Sequence, residues 1–231
     1  MNVPRTIVLL PGLDGTGLLF RDFKAALERF CPVTLISYPV DVPLSYDELL
    51  PLVRAGLPTG DCIIVGESFS GPLALRLAMD APPNLRGIVL GASFARLDLP
   101  LKSALASVVK FVPVHRIPIR VLTPVLLGRW ATPELRSELA AALSRVCPDV
   151  LTARAEAALE INLEKDARRI TLPLLYLRAT EDRLIPSSAV RSIAGIVSAM
   201  TVQEITAPHF LFQTAPEACT DAIRRFSETV A

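Results

Sequence analysis

The chain has 231 residues, 51% of them hydrophobic, which is enough for one α/β domain with a large core. Its formal charge of +1 excludes the strong overall field that draws proteins to nucleic acids or membrane surfaces. Its four cysteines are widely spaced and accompanied by two histidines, so neither a zinc site nor a disulfide framework is expected. We therefore expect no metal and no nucleic-acid partner.

The apolar segments indicate neither export nor a membrane span. Near the start there is one basic residue, Arg5, and the apolar run at 7–10 is too short for a secretory signal. No uncharged apolar run approaches the roughly 20 residues that cross a bilayer. The sequence thus predicts a soluble, cytoplasmic protein.

Short apolar runs alternate with helical patterns, which is typical of βαβ units and a mostly parallel sheet. The predicted strands are 6–10, 32–38, 61–66, 86–91, 172–178 and 200–205. Apolar residues repeat at helical spacing after the first and third strands, so each of these segments should form a helix that covers the sheet. The positions concerned are 20, 23, 27 and 30, and then 73, 74, 77 and 78.

The alternation of predicted strands and helices stops between residues 95 and 169, where all the patterns are helical. One apolar stripe follows Pro133, a residue suited to a first helical turn. Its members are Leu135, Leu139, Ala142, Leu143 and Val146. The predicted organisation is a single domain over 1–231, with about six mostly parallel strands flanked by helices and a helical insertion at 95–169.

The segment GESFSG, residues 66–71, places Ser68 between the third predicted strand and the next helix. A serine held on such a sharp turn requires small neighbours, and Gly66, Ser70 and Gly71 are small. The GxSxG fingerprint is met with Ser70 in place of the last glycine. The pattern indicates a nucleophile elbow, and the alternative is that Ser68 caps the helix.

A serine nucleophile needs a base and a group that orients the base. His209 follows the last predicted strand, at the carboxyl edge where open α/β sheets bind ligands. His115, in the helical insertion, is the less favoured base, and either histidine could be a hydrogen-bonded core side chain. Glu181 and Asp182 both follow the fifth strand and could be solvated loop charges. Asp182 is preferred as the acid, because its neighbour faces the other way in an extended segment.

The order serine, acid, histidine at three strand ends resembles the α/β-hydrolase fold superfamily, over essentially the whole chain. The superfamily acid commonly opens a D-x-x-[VI]-P segment, which residues 182–186 match, and Pro-Glu at 216–217 follows His209 at a common spacing. The resemblance implies an α/β-hydrolase fold, catalytic residues Ser68, Asp182 and His209, and no cofactor.

The glycine-rich stretch LLPGLDGTG, residues 9–17, lacks the GxGxxG spacing and the lysine of phosphate-binding loops. In similar hydrolases a Pro-Gly pair here directs the next backbone N–H at the reacting carbonyl. The resemblance therefore implies Leu13 and Phe69 as the oxyanion-hole donors. The alternative is an ordinary glycine turn. Asp14 and Glu67 are acidic and close to Ser68 along the chain, and we assign them only a structural or tuning role.

By resemblance, the helical insertion should form a lid over Ser68 and line an acyl pocket, and packing against the sheet is the alternative. The candidate pocket residues are Phe111, Val112, Val121, Leu122, Leu126 and Leu127. The insertion is locally basic, similar to the lids of pimeloyl-acyl-carrier-protein methyl ester esterases, which would suit an acidic carrier protein. An ordinary solvated face is the favoured explanation of these charges.

The stretches LPGLDGTG and HFLFQ also resemble the hydrolase half of phytyl ester synthase-like acyltransferases. Compared with larger relatives, two strands before the first predicted strand are not found. This leads us to expect a sheet edge open to another subunit, as in a homodimer.

The favoured hypothesis is a serine hydrolase that cleaves a small-molecule carboxylic ester or thioester through an acyl-enzyme. A second hypothesis is an acyltransferase or esterase that acts on a carrier-linked acyl substrate. A third is a binding or signalling module of the same fold with slow turnover.

Overall fold

The computed structural model describes residues 5–98, 117–166 and 168–230. A parallel sheet of six strands forms its centre. The strands are β1 (Thr6–Leu10), β2 (Val33–Leu35), β3 (Cys62–Glu67), β4 (Leu85–Gly91), β5 (Leu174–Ala179) and β6 (Met200–Ile205). Their spatial order is β2-β1-β3-β4-β5-β6. The expected fold class is confirmed.

The strand order reverses between β1 and β3, because the chain first moves outward to β2 and then returns past β1. Ligand sites of open α/β sheets lie at the carboxyl ends of strands beside such a reversal. Leu10 of β1 is paired with Gly66 of β3. The loop after β1 and the turn that carries Ser68 therefore leave the sheet side by side.

Helices cover both faces of the sheet. They are α1 (Arg21–Leu27), α2 (Tyr46–Ala55), α3 (Gly71–Met79), α4 (Ile119–Leu126), α5 (Pro133–Ser144), α6 (Pro148–Glu160), α7 (Ser188–Ala194), α8 (Leu211–Thr214) and α9 (Pro216–Thr229). Alternate strand residues point to opposite faces. In β1, Val8 and Leu10 belong to a core shared with α2, α3 and α7, whereas Ile7 and Leu9 belong to a core shared with α1 and α9.

Strands β1 and β6 have the predicted bounds, whereas β2 is shorter than the predicted 32–38. The physical reason is that β1 ends at Leu10, so the chain after β2 loses its strand partner. The Tyr38 N–H instead donates to the Gly15 carbonyl, at 2.8 Å. The predicted helix after β3 begins with a 3-10 turn, Ser68–Ser70, before α3.

Between β4 and β5, the described residues 117–166 are mainly helical, and they contact the loops that follow β1 and β6 at the carboxyl edge of the sheet. Pro133 is the first residue of α5, as predicted. Leu139 and Ala142 of that helix are buried against Leu19. Phe111, Val112 and His115, which the sequence analysis considered, lie outside the described residues. None of the helices in the described ranges combines the length and apolar character that crossing a bilayer requires.

Candidate active site

Ser68 lies at the tip of a strained turn between β3 and α3. Its φ of 47° falls in the left-handed region that non-glycine residues rarely adopt. The turn is tight on both sides. A Cβ at Gly66 would lie 3.0 Å from the Ser70 carbonyl oxygen, and one at Gly71 would lie 1.7 Å from Ser93 Oγ. Gly66 is therefore favoured by the close approach of the Ser70 backbone, and Gly71 by the close approach of the Ser93 side chain.

The Ser68 hydroxyl contacts the imidazole of His209. Ser68 Oγ lies 3.0 Å from His209 Nε2, and His209 Nδ1 lies 2.9 Å from Asp182 Oδ2. The side chains of His209 and Asp182 are 3% and 6% exposed, so water has little access to the contact between these two side chains. A proton on Nδ1 would bond the carboxylate and leave the lone pair of Nε2 facing Ser68.

Asp182 is held in place by its own loop. Its Oδ1 accepts hydrogen bonds from the N–H groups of Leu184, at 2.8 Å, and Ile185, at 2.9 Å. Its other oxygen is directed at His209. The adjacent acid, Glu181, instead pairs with Arg129 at 2.6 Å and is partly exposed. The structure therefore brings Asp182, and not Glu181, into contact with the histidine.

The backbone N–H groups of Leu13 and Phe69 lie on neighbouring segments beside Ser68. The Gly15 N–H donates to the Gly12 carbonyl at 3.0 Å, closing a turn. Since the N–H and C=O of a trans peptide point in opposite directions, the Leu13 N–H is directed away from this turn. Phe69 lies in the first turn of a 3-10 helix, where N–H groups lack helical acceptors.

Glu67, which was expected from the sequence to be only a structural or tuning residue, places a second buried carboxyl group next to Ser68. It is 4% exposed. Burial raises its pKa to about 7, although hydrogen bonds from Gln213 and from the Gly12 backbone and the nearby His209 act in the opposite direction. Gln213 Nε2 donates to it at 3.0 Å. Among the described residues, Gln213 Oε1 is buried without a partner. Exchanging the two amide atoms would let a protonated Glu67 donate to that oxygen.

Three hydroxyl groups brace the turn and were missed by the sequence analysis. Ser93 Oγ donates to the Ser68 carbonyl at 2.6 Å, and Tyr46 OH donates to the Phe69 carbonyl at 2.9 Å. Tyr176 OH donates to the Ser93 carbonyl at 2.8 Å. Side chains that bond backbone carbonyls produce no periodic pattern, so no sequence signal was available for them.

The candidate pocket residues have differing environments. Val121 is 54% exposed, whereas Leu122 and Leu126 are half-buried and Leu127 is buried. The Leu126 carbonyl accepts a hydrogen bond from the Phe210 N–H at 3.1 Å, which attaches α4 to the loop of His209. No cluster of three or more potential metal ligands occurs within residues 5–98, 117–166 and 168–230.

Comparison with known proteins gives the family. Residues 7–222 match the family model described as Alpha/beta hydrolase family. The match spans most of the chain, so this protein belongs to the alpha/beta hydrolase family, a family of hydrolase enzymes. The resemblance noted from the sequence is thereby confirmed.

Two relatives and one solved structure illustrate the similarity. The chain is 26% identical to the biotin biosynthesis bifunctional protein BioHC of Cellvibrio japonicus (strain Ueda107), over 97% of this chain and 48% of that protein. It thus spans about half the length of that relative. It is 25% identical to a protein named as a carbamate hydrolase, RutD, of Caulobacter sp. (strain K31), over 96% of this chain and 90% of that one. The enol-lactonase from Burkholderia xenovorans LB400 shares the fold, with a TM-score of 0.81 at 18% identity over 96% of this chain and 91% of that chain.

Proposed function

We propose that this protein is a serine hydrolase that cleaves a small-molecule carboxylic ester or thioester through an acyl-enzyme. The observation that carries the proposal is the pair of contacts made by one buried imidazole. His209 faces the Ser68 hydroxyl at 3.0 Å and the Asp182 carboxylate at 2.9 Å. Serine, base and orienting acid in this arrangement suit acyl transfer, and the chemistry requires no cofactor.

In the proposed acylation, Ser68 Oγ bonds to the substrate carbonyl carbon while its proton passes to His209 Nε2. Asp182 stabilises the imidazolium and keeps its ring oriented. The carbonyl electrons move to the oxygen, which accepts hydrogen bonds from the Leu13 and Phe69 N–H groups. Removing one such donor typically raises the barrier by about 3 kcal/mol. The oxyanion then collapses and the bond from the carbonyl carbon to the leaving oxygen or sulfur breaks, while His209 gives its proton to the departing alcohol or thiol.

Deacylation repeats these steps with water in place of the serine hydroxyl. His209 removes a proton from water as the water oxygen bonds to the acyl carbon. Collapse of the second oxyanion breaks the bond to Ser68 Oγ, which takes back a proton from His209. The free acid is released. An alcohol that replaced water at this step would give a new ester, which is the transferase alternative.

The relatives are consistent with this reaction type. One is named as a carbamate hydrolase and a structural neighbour is named an enol-lactonase. A carbamate and a lactone each contain a carbonyl carbon that a nucleophile can attack. The ester or thioester class is our proposal and rests on the serine nucleophile, which suits acyl transfer through an acyl-enzyme.

Hydrolysis of p-nitrophenyl acetate and butyrate tests the proposed function. The Ser68→Ala variant should lose turnover while keeping the circular dichroism and thermal unfolding of the wild type. Ser198→Ala is the matched control, because Ser198 is an exposed serine just before β6, away from the carboxyl edge of the sheet. A folded Ser68→Ala variant with full activity would exclude Ser68 from the reaction.

We further propose that the helical segment 117–166 forms a lid in which Leu126 lines the acyl pocket. This segment is attached to the site, because the Phe210 N–H bonds the Leu126 carbonyl and Arg183 Nη1 bonds the Pro124 carbonyl at 3.1 Å. A methylene group that leaves water is worth about 0.8 kcal/mol. Leu126→Ala should therefore lower kcat/KM for butyrate up to about tenfold more than for acetate. Equal losses would assign Leu126 to packing alone.

A further inference from the structure

Arg154 is a buried cation whose hydrogen bonds go to backbone carbonyls. It belongs to α6 and is 1% exposed. Its Nη1 donates to the carbonyls of Leu13, at 2.9 Å, and Asp14, at 2.7 Å, and its Nη2 donates to Pro39, at 2.7 Å. It makes no ion pair with the described residues. Burying a charge that has no ionic partner is energetically costly, so side-chain packing alone is a poor explanation for an arginine at this position.

The guanidinium connects to the Leu13 N–H through two peptide groups. Arg154 bonds the carbonyl of the peptide between Asp14 and Gly15. The N–H of that peptide belongs to Gly15 and donates to the Gly12 carbonyl at 3.0 Å. The Gly12 carbonyl is part of the peptide between Gly12 and Leu13, and the N–H of this second peptide is that of Leu13. The donor and acceptor ends of both peptides are thus aligned in one direction.

We propose that Arg154 is a positioning residue that orients and polarises the Leu13 N–H through these two peptide groups, so that a charge on α6 stabilises the oxyanion. A cation at the carbonyl end draws electron density toward itself, which makes each N–H in the series a stronger donor. Successive hydrogen bonds in such a chain strengthen one another by about 10–30% per bond. This inference rests on the proposed function, because it concerns the oxyanion of the same reaction.

The loop is shaped to accept this contact. Gly15 has a φ of +70°, and a Cβ there would lie 2.4 Å from Arg154 Nη1. The absence of a side chain at this position lets the guanidinium lie directly against the backbone. The carbonyls of Pro11 and Gly15, on either side of this loop, are also fixed. The first accepts a hydrogen bond from the Ser70 hydroxyl, and the second accepts one from the Tyr38 N–H. The Leu13 peptide therefore has little freedom to turn away.

The charges near this loop explain why a cation is needed. The buried carboxyl groups of Asp14 and Glu67 both lie close to the loop, and a negative charge on either disfavours a developing oxyanion. Asp14 accepts a hydrogen bond from the Thr16 N–H at 2.9 Å. Arg154 is close enough to interact with Asp14, and arginine keeps its proton even where burial lowers its pKa.

The test is the pKa of an oxyanion formed on the enzyme itself. A trifluoromethyl ketone labelled with ¹³C at its carbonyl should add to Ser68, forming a carbon–oxygen bond as the serine proton passes to His209. The ¹³C shift as a function of pH then gives the pKa of the adduct oxygen. Arg154→Met should raise this pKa by about one unit or more relative to wild type, with kcat lowered about tenfold and KM little changed. Loss of a merely structural contact would leave the adduct pKa unchanged.

Arg145→Met is the matched control, because Arg145 is exposed and precedes α6. It should have the wild-type adduct pKa. Arg154→Lys keeps a cation but lacks the planar guanidinium that bonds two carbonyls. It should therefore raise the pKa of the adduct oxygen by about half as much as Arg154→Met does. If Arg154→Met does not fold, Arg154→Lys carries the test.

The possible failures are distinguishable. A wild-type adduct on Ser68 combined with an unchanged oxyanion pKa in the folded Arg154 variants would overturn the inference and leave the proposed function standing. Failure of the folded wild-type protein to form the adduct would count against the proposed function, and the inference would fall with it.

Discussion

Tyr38 and Ser70 share a hydrogen bond of 2.5 Å between their hydroxyl oxygens, in the buried space behind Ser68. The Ser70 hydroxyl donates to the Pro11 carbonyl, so Tyr38 must supply the proton of the shared bond. These contacts join the turn after Ser68 to the loop that contains Leu13. The serine at the last position of GxSxG therefore makes bonds that glycine could not make.

We expect Ser70→Gly, which restores the usual fingerprint, to destabilise the protein. The change leaves the Pro11 carbonyl and the Tyr38 hydroxyl buried without their partner, which should lower the free energy of unfolding by about 1–3 kcal/mol. Urea unfolding measures this change. Ser70→Ala separates loss of the hydroxyl from the backbone freedom of glycine and should show most of the loss. Wild-type stability in both variants would show that the Ser70 contacts contribute nothing.

Glu67 should make stability decrease as the pH rises. Its pKa is raised from 4.5 to about 7 in the folded protein, chiefly by burial. Between these values the folded state holds a proton that the unfolded state has lost, so the stabilisation is full below about pH 4.5 and is lost as the pH rises through about 7. The shift corresponds to about 3 kcal/mol.

Glu67→Gln, which resembles the protonated carboxyl, should remove this dependence. Relative to wild type, the variant should gain up to about 3 kcal/mol of stability between pH 5 and pH 8. Denaturant unfolding of both proteins at the two pH values measures the difference. Parallel pH profiles would show that Glu67 does not titrate in this window.

The sheet could be predicted because buried strands carry short, dense apolar runs. Ser68 and Asp182 could be singled out because each follows such a strand, and parallel strands end at one edge. His209 follows β6, a partly exposed edge strand, and it could be singled out because the chain has only two histidines. Helix α2 was not predicted, although a signal was present. Ser45 and Glu48 form a capping box at its start, and S-x-x-E is a recognisable pattern.

The side chains that brace the backbone around Ser68 could not be predicted from the sequence. Arg154 and Tyr46 bond backbone carbonyls of residues that are distant in sequence, Leu13 and Phe69. A contact of this kind depends on which loops meet in three dimensions. In the sequence, Arg154 is one of several charged residues in a helix, and such residues are usually exposed.

Gly71 and Ser93 should be energetically coupled. A Cβ at Gly71 would lie 1.7 Å from Ser93 Oγ and 2.7 Å from its Cβ. Gly71→Ala should therefore lower the free energy of unfolding by about 1–3 kcal/mol, because the added methyl group forces Ser93 away from the Ser68 carbonyl. Adding Ser93→Gly removes the clash. The double variant should therefore lose less free energy of unfolding than the sum of the losses in the two single variants. Additive losses in this double-mutant cycle would contradict the packing described for the turn.

The central claim, that Ser68 is the nucleophile activated by His209 and Asp182, is tested most directly by covalent trapping with a fluorophosphonate, followed by mass spectrometry of the peptides. We expect one adduct per chain, on Ser68, and none on Ser68→Ala. Asp182→Asn should slow the labelling by about 10⁴-fold, because the histidine loses its orienting carboxylate. Labelling at another residue with Ser68 unmodified, or equal labelling of Ser68→Ala, would contradict the account.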